Sequence, residues 1–142
     1  DMGGSKRAYA YAKYLESDVV ICYKQRAKAN QISSMQLIGE VEGKNVVLAD
    51  DLVDTAGTLT HAANLMIEKG AKSVRAICSH PVLSGNAYEK IENSKLEELI
   101  VTDSIPLKKE SSKIKVLSCA HLFADVMKAV HYNKSISSKF LM

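Results

Sequence analysis

Residues 46–62 read VVLADDLVDTAGTLTHA, and this stretch decides the fold class. It begins as an apolar run, passes through an acidic loop that contains one glycine, and enters a helical pattern. Small and apolar side chains then recur at the spacing of one helix face: Leu59, Ala62, Ala63, Met66 and Ile67. Gly70 is placed to end that helix in the left-handed conformation. A strand that leads through a loop into a helix is half of a βαβ unit, so the stretch predicts an α/β protein.

The rest of the chain repeats this alternation, which is typical of a mostly parallel sheet flanked by helices. Further strands are predicted at 18–22, 35–41, 74–78, 99–101 and 114–117, with an edge strand at 135–140. Further helices are predicted at 5–16, 85–93 and 120–131, the first of them capped by Ser5. The EGK turn signal at 42–44 predicts a hairpin or a sheet extension around it. The segment 24–34, KQRAKANQISS, lacks apolar periodicity and predicts a mobile surface loop.

Length and composition limit the classes of protein to consider. The chain has 142 residues, so we expect residues 1–142 to form a single domain. With 46% apolar and 25% charged residues it is too hydrophobic to be disordered, and a net charge of +3 is too small to predict nucleic-acid binding. No run approaches the roughly 18 apolar residues of a membrane span, and no secretory signal pattern opens the chain. We therefore expect a cytoplasmic protein with no membrane partner.

Cysteine and histidine positions predict no metal centre. The sequence contains three cysteines: Cys22, Cys78 and Cys119. They form no CxxC pair, and each ends or follows an apolar run, so we expect core residues rather than disulfides or zinc ligands. His61 and His131 fall inside helical patterns, where structural or solvent-facing roles are expected. His80 follows a strand, where a structural role is expected and lining a site is the alternative.

The loop at 55–58 combines the features that bind phosphate. Thr55 and Thr58 bring hydroxyl donors, and Gly57 lets the backbone approach a ligand without an intervening Cβ. The helix dipole contributes about 0.3–1 kcal/mol at an exposed site, whereas each hydrogen bond to a charged phosphate contributes roughly 1.5–3 kcal/mol. The N–H and hydroxyl donors therefore dominate. In open parallel sheets ligands bind beyond the carboxyl ends of the strands, and this loop lies there.

Two acids beside the loop indicate what the phosphate is attached to. Asp50 and Asp51 are adjacent at a strand end, so their side chains are expected on opposite sides. Carboxylates repel a bare phosphate, but they accept hydrogen bonds from vicinal hydroxyls or hold Mg²⁺ through water. This pattern favours a phosphorylated sugar. The alternative from the residues alone is an aspartate that caps the helix, with solvated acids around it.

The segment DDLVDTAGT at 50–58 resembles the phosphoribosyl-binding loop shared by type I phosphoribosyltransferases and ribose-phosphate pyrophosphokinases. Four other segments, DMGG, KQRAKAN, SHPVLSGNA and the terminal SIS, resemble segments of the pyrophosphokinases in the same order. The resemblance covers essentially the whole chain but only the carboxyl-terminal half of such an enzyme. It implies a Rossmann-like type I phosphoribosyltransferase fold whose amino-terminal domain is absent, and the opening DMGGS is expected to be a loop in a fragment.

The resemblance also implies roles for individual residues. The 5-phosphate of ribose 5-phosphate is assigned to the loop residues Asp54, Thr55, Ala56, Gly57 and Thr58, and the sugar hydroxyls to Asp50 and Asp51. Lys24 matches the catalytic lysine of the family and Arg26 its companion on a flexible loop. Asp1 matches an acid that helps to hold Mg²⁺, and the diphosphate-binding turn is assigned to Gly3 and Gly4. Pro81 and Gly85 bracket a loop near a regulatory nucleotide or phosphate site, which Ser135 and Ser137 match loosely.

The activity implied by the resemblance is transfer of diphosphate from ATP to the C1 hydroxyl of ribose 5-phosphate, with Mg²⁺. The chemistry of the residues agrees with this, because charge on nonbridging phosphate oxygens is stabilised by cations such as Lys24 and Arg26 on a loop that closes over the substrates. The residues identify no general base. In this family an amino-terminal domain and neighbouring subunits of a homo-oligomer complete the ATP site, so the chain alone is expected to be inactive.

Three alternatives remain open from the sequence. A phosphoribosyltransferase would use the same loop but would consume phosphoribosyl diphosphate. A catalytically silent regulatory homologue would assemble with active subunits, although Lys24 and Arg26 argue against it. A phospho-receiver module also ends strands in acids, but receiver acids are spread over several strands, whereas Asp50, Asp51 and Asp54 lie in one loop.

Overall fold

The computed structural model describes residues 2–25 and 34–140 as an α/β fold with two sheets. The amino-terminal part comprises α1 (Met2–Tyr14), β1 (Ile21–Gln25) and β2 (Ser34–Ile38). The central part comprises β3 (Asn45–Val53), α2 (Gly57–Glu68), β4 (Ser73–Pro81) and α3 (Ala87–Asn93). The carboxyl-terminal part comprises β5 (Glu98–Thr102), β6 (Ile114–Leu117), α4 (Ala120–His131) and a 3₁₀ turn at Ser137–Lys139.

The larger sheet contains four parallel strands in the order β3-β4-β5-β6. Its register pairs Val46 with Val74, Ala76 with Leu99, and Leu99 with Ile114. Because strand neighbours alternate between faces, these residues all lie on one face of the sheet. Parallel strands also place all their carboxyl ends at one edge, from which the loops into α2 and α3 leave. The predicted α/β fold with a mostly parallel sheet is confirmed.

The core lies between this face of the sheet and helices α2 and α3. Its largest fully buried side chains include Met66 on α2, Ile91 on α3 and Leu99 on β5, each exposed by 2% or less. Truncating a side chain of this kind to alanine typically costs about 2–5 kcal/mol, because the cavity that remains does not collapse completely. The two helices are thereby fixed against the sheet, and their amino-terminal ends lie at its carboxyl edge.

Helix α2 ends as predicted. Gly70 adopts φ +89°, and its N–H donates to the carbonyl of Ile67 at 3.0 Å. A Cβ at Gly70 would approach Cγ of Glu42 to 3.1 Å and Cα of Glu42 to 3.5 Å. The position therefore requires glycine for both its backbone conformation and its close packing.

The prediction of a hairpin around the EGK turn is wrong. Strand β2 pairs antiparallel with β1, with Cys22 opposite Leu37, in a separate sheet of two strands. The turn is instead held against the turn that follows α2, because the N–H of Gly43 donates to the carbonyl of Gly70 at 2.8 Å. The N–H of Lys72 donates to the carbonyl of Lys44 at 2.8 Å. These bonds bring the start of β3 beside the start of β4 and favour the parallel pairing.

The first predicted helix and strand are shifted along the chain. Helix α1 begins at Met2, so Ser5 lies inside it rather than at its cap, and the opening is not a loop. Gly3 and Gly4, which were assigned to the diphosphate-binding turn, belong to the first turn of this helix. The strand predicted at 18–22 lies at Ile21–Gln25 and takes in Lys24, which was expected in a surface loop.

Helix α4 has the predicted bounds, but it buries no side chain within the described residues. Its apolar stripe stays exposed, with Phe123 at 56%, Met127 at 68% and Val130 at 59%. The edge strand predicted at 135–140 is wrong, since a 3₁₀ turn occupies Ser137–Lys139. The N–H of Ser137 donates to Oγ of Ser135 at 3.2 Å, and a local bond of this kind favours a turn over a strand. Over residues 2–25 and 34–140, no helix is both long enough and apolar enough to cross a membrane.

Candidate functional site

The loop between β3 and α2 presents an uncapped helix end at the carboxyl edge of the sheet. Ala56 occupies the N-cap of α2, and no side chain makes a capping hydrogen bond there. The first N–H groups of an α-helix have no acceptor within the helix, so an anion can bind them. The alternative in which an aspartate caps the helix is not what the structure contains. The end of α2 is therefore suited to a phosphate.

Ala56, rather than Gly57, adopts the unusual backbone conformation in this loop. Its φ is +57°, in the left-handed region, where a residue with a Cβ pays roughly 1–2 kcal/mol. Packing and hydrogen bonding hold it there, since Ala56 is 4% exposed and its carbonyl accepts the N–H of Thr60 at 3.0 Å. Strained backbone of this kind is concentrated at functional sites.

Gly57 begins the helix, and a Cβ would fit beside it without a clash. A Cβ at this position would meet Nζ of Lys90 at 3.7 Å and Oγ1 of Thr55 at 3.9 Å, both ordinary contact distances. The fold therefore does not require glycine here. That Gly57 keeps the backbone accessible to a ligand stays a prediction.

Asp50 and Asp51 lie within β3, just before the loop. The N–H of Asp51 donates to Oδ1 of Asp50 at 2.9 Å. The pKa of Asp50 is raised, first because burial disfavours its carboxylate, and further by the neighbouring carboxyl of Asp51. Acceptor oxygens that are partly withdrawn from water are suited to the hydroxyls of a sugar.

The loop between β4 and α3 lies directly against the loop between β3 and α2. The N–H of Leu83 donates to the carbonyl of Val53 at 3.1 Å, and the N–H of Ser84 donates to the carbonyl of Asp54 at 3.1 Å. Oγ of Ser84 also donates to Oδ1 of Asp54. The loop bracketed by Pro81 and Gly85 is thus in direct contact with the candidate site.

Lys90 adds a positive charge from α3. Its Nζ donates to the carbonyl of Thr55 at 3.1 Å. Neither Lys90 nor Ser84 was predicted from the sequence, because both contact residues that are distant along the chain. Lys90 is 35 positions from Thr55, and Ser84 is 30 positions from Asp54. The available signal was that SHPVLSGNA follows a parallel strand, and such a loop must emerge at the same edge of the sheet.

The neighbouring strand ends carry further polar contacts. Nδ1 of His80 lies 3.0 Å from Oγ of Ser104, which donates to the carbonyl of Ser79 at 2.8 Å. His80 is exposed at this edge of the sheet. His61 is solvent-facing, as predicted.

Asp103 holds the start of α4. It accepts hydrogen bonds from the N–H of Cys119 at 2.9 Å, from its thiol at 2.8 Å, and from Oγ of Ser118. Bonds from the Cys119 thiol and N–H, and from Ser118, lower the pKa of Asp103 to about 2. The carboxylate of Asp103 in turn raises the pKa of the Cys119 thiol. Cys119 is therefore a polar partner and not the core residue expected, whereas Cys78 is buried as predicted.

Some predicted site residues are not assembled with the loop by the described structure. Asp1 and Arg26 lie outside the described residues, and so does the side chain of Lys24, whose backbone belongs to β1. Ser135 and Ser137 follow α4, with their Oγ atoms 2.9 Å apart. Within the described part of the chain, no group of three or more His, Cys, Asp or Glu residues could hold a metal ion. A cavity of about 480 Å³ lies elsewhere, near Leu65 and Lys69 at the other end of α2.

Comparison with known proteins gives a consistent result. A family described as phosphoribosyl synthetase-associated domain matches residues 16–141. The ribose-phosphate pyrophosphokinase of Wolinella succinogenes is 54% identical over 141 residues, which are 99% of this chain and 46% of that protein. The ribose-phosphate pyrophosphokinase of Campylobacter jejuni is 52% identical, with the same two coverages. The chain thus spans about half the length of the curated relatives it matches.

A solved structure supports the same relationship. The phosphoribosylpyrophosphate synthetase of Mycobacterium smegmatis superimposes with a TM-score of 0.81 and 32% sequence identity. The alignment covers 92% of this chain and 43% of the other. Together with the parallel sheet and its flanking helices, this similarity confirms the expected phosphoribosyltransferase-type fold.

Proposed function

The chain belongs to the family of the phosphoribosyl synthetase-associated domain and the ribose-phosphate pyrophosphokinases, and from that premise we propose that it binds ribose 5-phosphate as part of a ribose-phosphate diphosphokinase. The product of the complete enzyme would be phosphoribosyl diphosphate for nucleotide biosynthesis. The observation that carries the proposal is the uncapped amino-terminal end of α2, where Ala56 is held in the left-handed conformation beside Gly57.

The 5-phosphate is assigned to the loop Asp54, Thr55, Ala56, Gly57 and Thr58. Backbone N–H groups at the start of α2 and the two threonine hydroxyls supply the donors. Several charge-assisted hydrogen bonds, each contributing roughly 1.5–3 kcal/mol, would outweigh repulsion from nearby carboxylates. The phosphate is therefore the group that positions the substrate.

The sugar is assigned to Asp50 and Asp51. These carboxylates accept hydrogen bonds, so they recognise vicinal hydroxyls beside the bound phosphate. The bond between the N–H of Asp51 and Oδ1 of Asp50 fixes one carboxylate relative to the strand. This arrangement distinguishes a phosphorylated sugar from inorganic phosphate.

In the proposed reaction the C1 hydroxyl oxygen of ribose 5-phosphate attacks the β-phosphorus of ATP. A new P–O bond forms, the bond between the β-phosphorus and the α–β bridging oxygen breaks, and AMP leaves. The proton of the hydroxyl is lost late to solvent, since no residue is assigned as a general base. Lys24, in β1, and Arg26 are proposed to neutralise charge on the phosphate oxygens.

Mg²⁺ is proposed to accompany ATP. Mg²⁺ is usually bound by one or two carboxylates together with substrate phosphates and water, so the acids near the loop and Asp1 are a suitable donor set. When bound, it would neutralise charge on the diphosphate group. Gly3 and Gly4, at the start of α1, are proposed to contact that diphosphate, since the first N–H groups of a helix lack acceptors within it.

Residues 1–142 are proposed to form one domain whose ATP site is completed elsewhere. The relatives are about twice as long as this chain, which supports a further domain in the complete enzyme. We expect that domain and neighbouring subunits of a homo-oligomer to complete the ATP site, so that the chain alone binds ribose 5-phosphate without turnover. Ser135 and Ser137 are proposed to belong to a regulatory phosphate site.

The test is a titration of ribose 5-phosphate into ¹⁵N-labelled protein, followed through the backbone amide signals. We expect saturable shifts at residues 55–58, with the amides of α4 as the internal control. Shifts confined to other residues, or none at millimolar ligand, would contradict the proposal. Binding of ribose 5-phosphate together with turnover of phosphoribosyl diphosphate and a nitrogen base would instead identify a phosphoribosyltransferase.

A further inference from the structure

The proposed phosphate loop brings no positive charge of its own. Between residues 45 and 68, which contain the loop and the whole of α2, the sequence has four acidic residues and neither lysine nor arginine. Three of those acids, Asp50, Asp51 and Asp54, are within eight positions of Thr58. Any cation that stabilises a phosphate dianion at this loop must therefore come from another part of the fold.

Helix α3 supplies one. Nζ of Lys90 donates to the carbonyl of Thr55 at 3.1 Å and lies 3.7 Å from the position of a Cβ on Gly57. The ammonium group is thus at the mouth of the loop, between the residue before Ala56 and the residue after it. An ammonium group has three donors, so one bond to Thr55 leaves two for the oxygens of a ligand.

The backbone of Lys90 is held firmly enough to position this charge. Ala87 and Ile91, which flank it on α3, are fully buried against the core. The other end of the helix is fixed by Lys113, whose Nζ donates to the carbonyls of Glu92 and Ser94, each at 2.9 Å. The side chain of Lys90 therefore extends from a fixed element, which favours a defined role over a mobile surface charge.

We propose that Lys90 is a positioning residue of the phosphate site: it braces the loop through the carbonyl of Thr55 and places a positive charge where the 5-phosphate binds. This inference rests on the proposed function, and it extends the site to α3. Two separable contributions follow, namely a hydrogen bond that exists without ligand and a charge that acts only on an anionic ligand.

Three variants separate the two contributions. Lys90→Arg keeps the charge and the donors, Lys90→Gln keeps a donor but loses the charge, and Lys90→Met loses both. The matched control is Lys72→Gln, which removes the same charge from an exposed lysine at the amino edge of the sheet. Circular dichroism melts establish that each variant is folded.

The measurement is the dissociation constant of ribose 5-phosphate for each variant at low and high salt. We expect Lys90→Gln to weaken binding about tenfold at low salt, the low end of a charge-assisted bond, with a smaller loss at high salt. Lys90→Arg should bind within about threefold of the parent chain, and Lys72→Gln should be unchanged. In ligand-free protein, Lys90→Met should speed hydrogen exchange of the Thr60 amide, whose N–H donates to the carbonyl of Ala56 at 3.0 Å in the same loop.

The outcomes distinguish this inference from the function on which it rests. If the parent chain binds at residues 55–58 and Lys90→Gln binds equally well, the role of Lys90 is overturned and the phosphate site stands. If the parent chain shows no shifts at residues 55–58, the proposed function fails and the role of Lys90 fails with it. A loss in Lys90→Gln that Lys90→Arg does not restore would also overturn the charge assignment.

Discussion

Oγ of Ser84 donates a hydrogen bond to Oδ1 of Asp54, which joins the loop before α3 to the loop before α2. The N–H of Ser84 donates to the carbonyl of the same aspartate at 3.1 Å. Because the second loop holds the first at two points on one residue, the shape of the proposed phosphate site depends on a segment 30 residues away. Ser84 is therefore expected to matter for binding although it is not expected to touch the substrate.

Ser84→Ala should lower both stability and affinity. Removing the hydroxyl leaves the Asp54 carboxylate without this partner, which costs about 1 kcal/mol in free energy of unfolding and lowers ribose 5-phosphate affinity several-fold. Ser73→Ala is the matched control, because Oγ of Ser73 donates to Oδ1 of Asn45 at 2.7 Å at the opposite edge of the same strand pair. Urea denaturation and calorimetric titration should show a stability loss for both variants and an affinity loss for Ser84→Ala alone.

Gly57→Ala should lower the affinity for ribose 5-phosphate without lowering the stability of the fold. The added Cβ meets only ordinary contacts, and alanine is favoured over glycine in a helix by roughly 1 kcal/mol, so stability should be unchanged or higher. The same Cβ extends into the space beside Thr55, where the phosphate is proposed to bind, so affinity should fall by about tenfold or more.

Gly70→Ala is the control for that substitution. Its φ of +89° and the 3.1 Å approach to Glu42 predict a loss of about 1–2 kcal/mol in the free energy of unfolding, with unchanged affinity. Equal affinities for Gly57→Ala and the parent chain would contradict the assignment of the loop.

Asp50→Asn should stabilise the free protein at neutral pH. The pKa of Asp50 is raised above 3.8 in the folded state, so the folded protein holds this proton more tightly than the unfolded chain does. Its contribution to stability is therefore greatest below pH 3.8 and is lost as the pH rises through the folded-state pKa. Denaturation at pH 7 should show the variant to be more stable than the parent, and the difference should shrink toward pH 3.

The same variant should bind ribose 5-phosphate more weakly, because the amide replaces one acceptor oxygen by a donor. Retention of a carboxylate that lowers the stability of the fold is typical of a functional site. A variant that is less stable than the parent at pH 7 would contradict the cause assigned to the raised pKa.

The carboxyl group of Asp103 should have a pKa well below that of an ordinary aspartate. Its folded-state pKa is about 2 and its unfolded value is 3.8, so its contribution to stability is complete above pH 3.8 and is lost as the pH falls through about 2. Carboxyl ¹³C chemical shifts should give the midpoint directly. Asp103→Asn should speed amide exchange in the first turn of α4, and a midpoint near 4 would contradict the bonding from Ser118 and Cys119.

The elements that could be predicted from sequence are those whose signals are local. The bounds of α4 and β6 follow from apolar periodicity over short windows, and Gly70 marks the end of α2 because few other residues tolerate its backbone conformation. The hairpin at the EGK turn was wrong because strand pairing depends on bonds to the turn after α2, about 27 residues along the chain from Gly43 to Gly70.

The same distinction applies to the candidate site. Asp50, Asp51 and residues 54–58 fall within nine consecutive positions, so one motif brings them together. Ser84 and Lys90 reach the loop only through the parallel register of β3 and β4, which no local pattern contains. The left-handed conformation of Ala56 could not be predicted from the sequence, because alanine rarely adopts it.

Helix α4 has a practical consequence for every solution measurement on this chain. Its apolar stripe, with Phe123, Met127 and Val130 each more than half exposed, gives the surface amphiphilic character. We expect the apparent molar mass of the 142-residue chain, measured by light scattering, to rise with protein concentration. The substitution Met127→Lys should reduce this rise without changing the melting temperature appreciably. Titrations are therefore best run dilute, where colloidal attraction between copies is weakest.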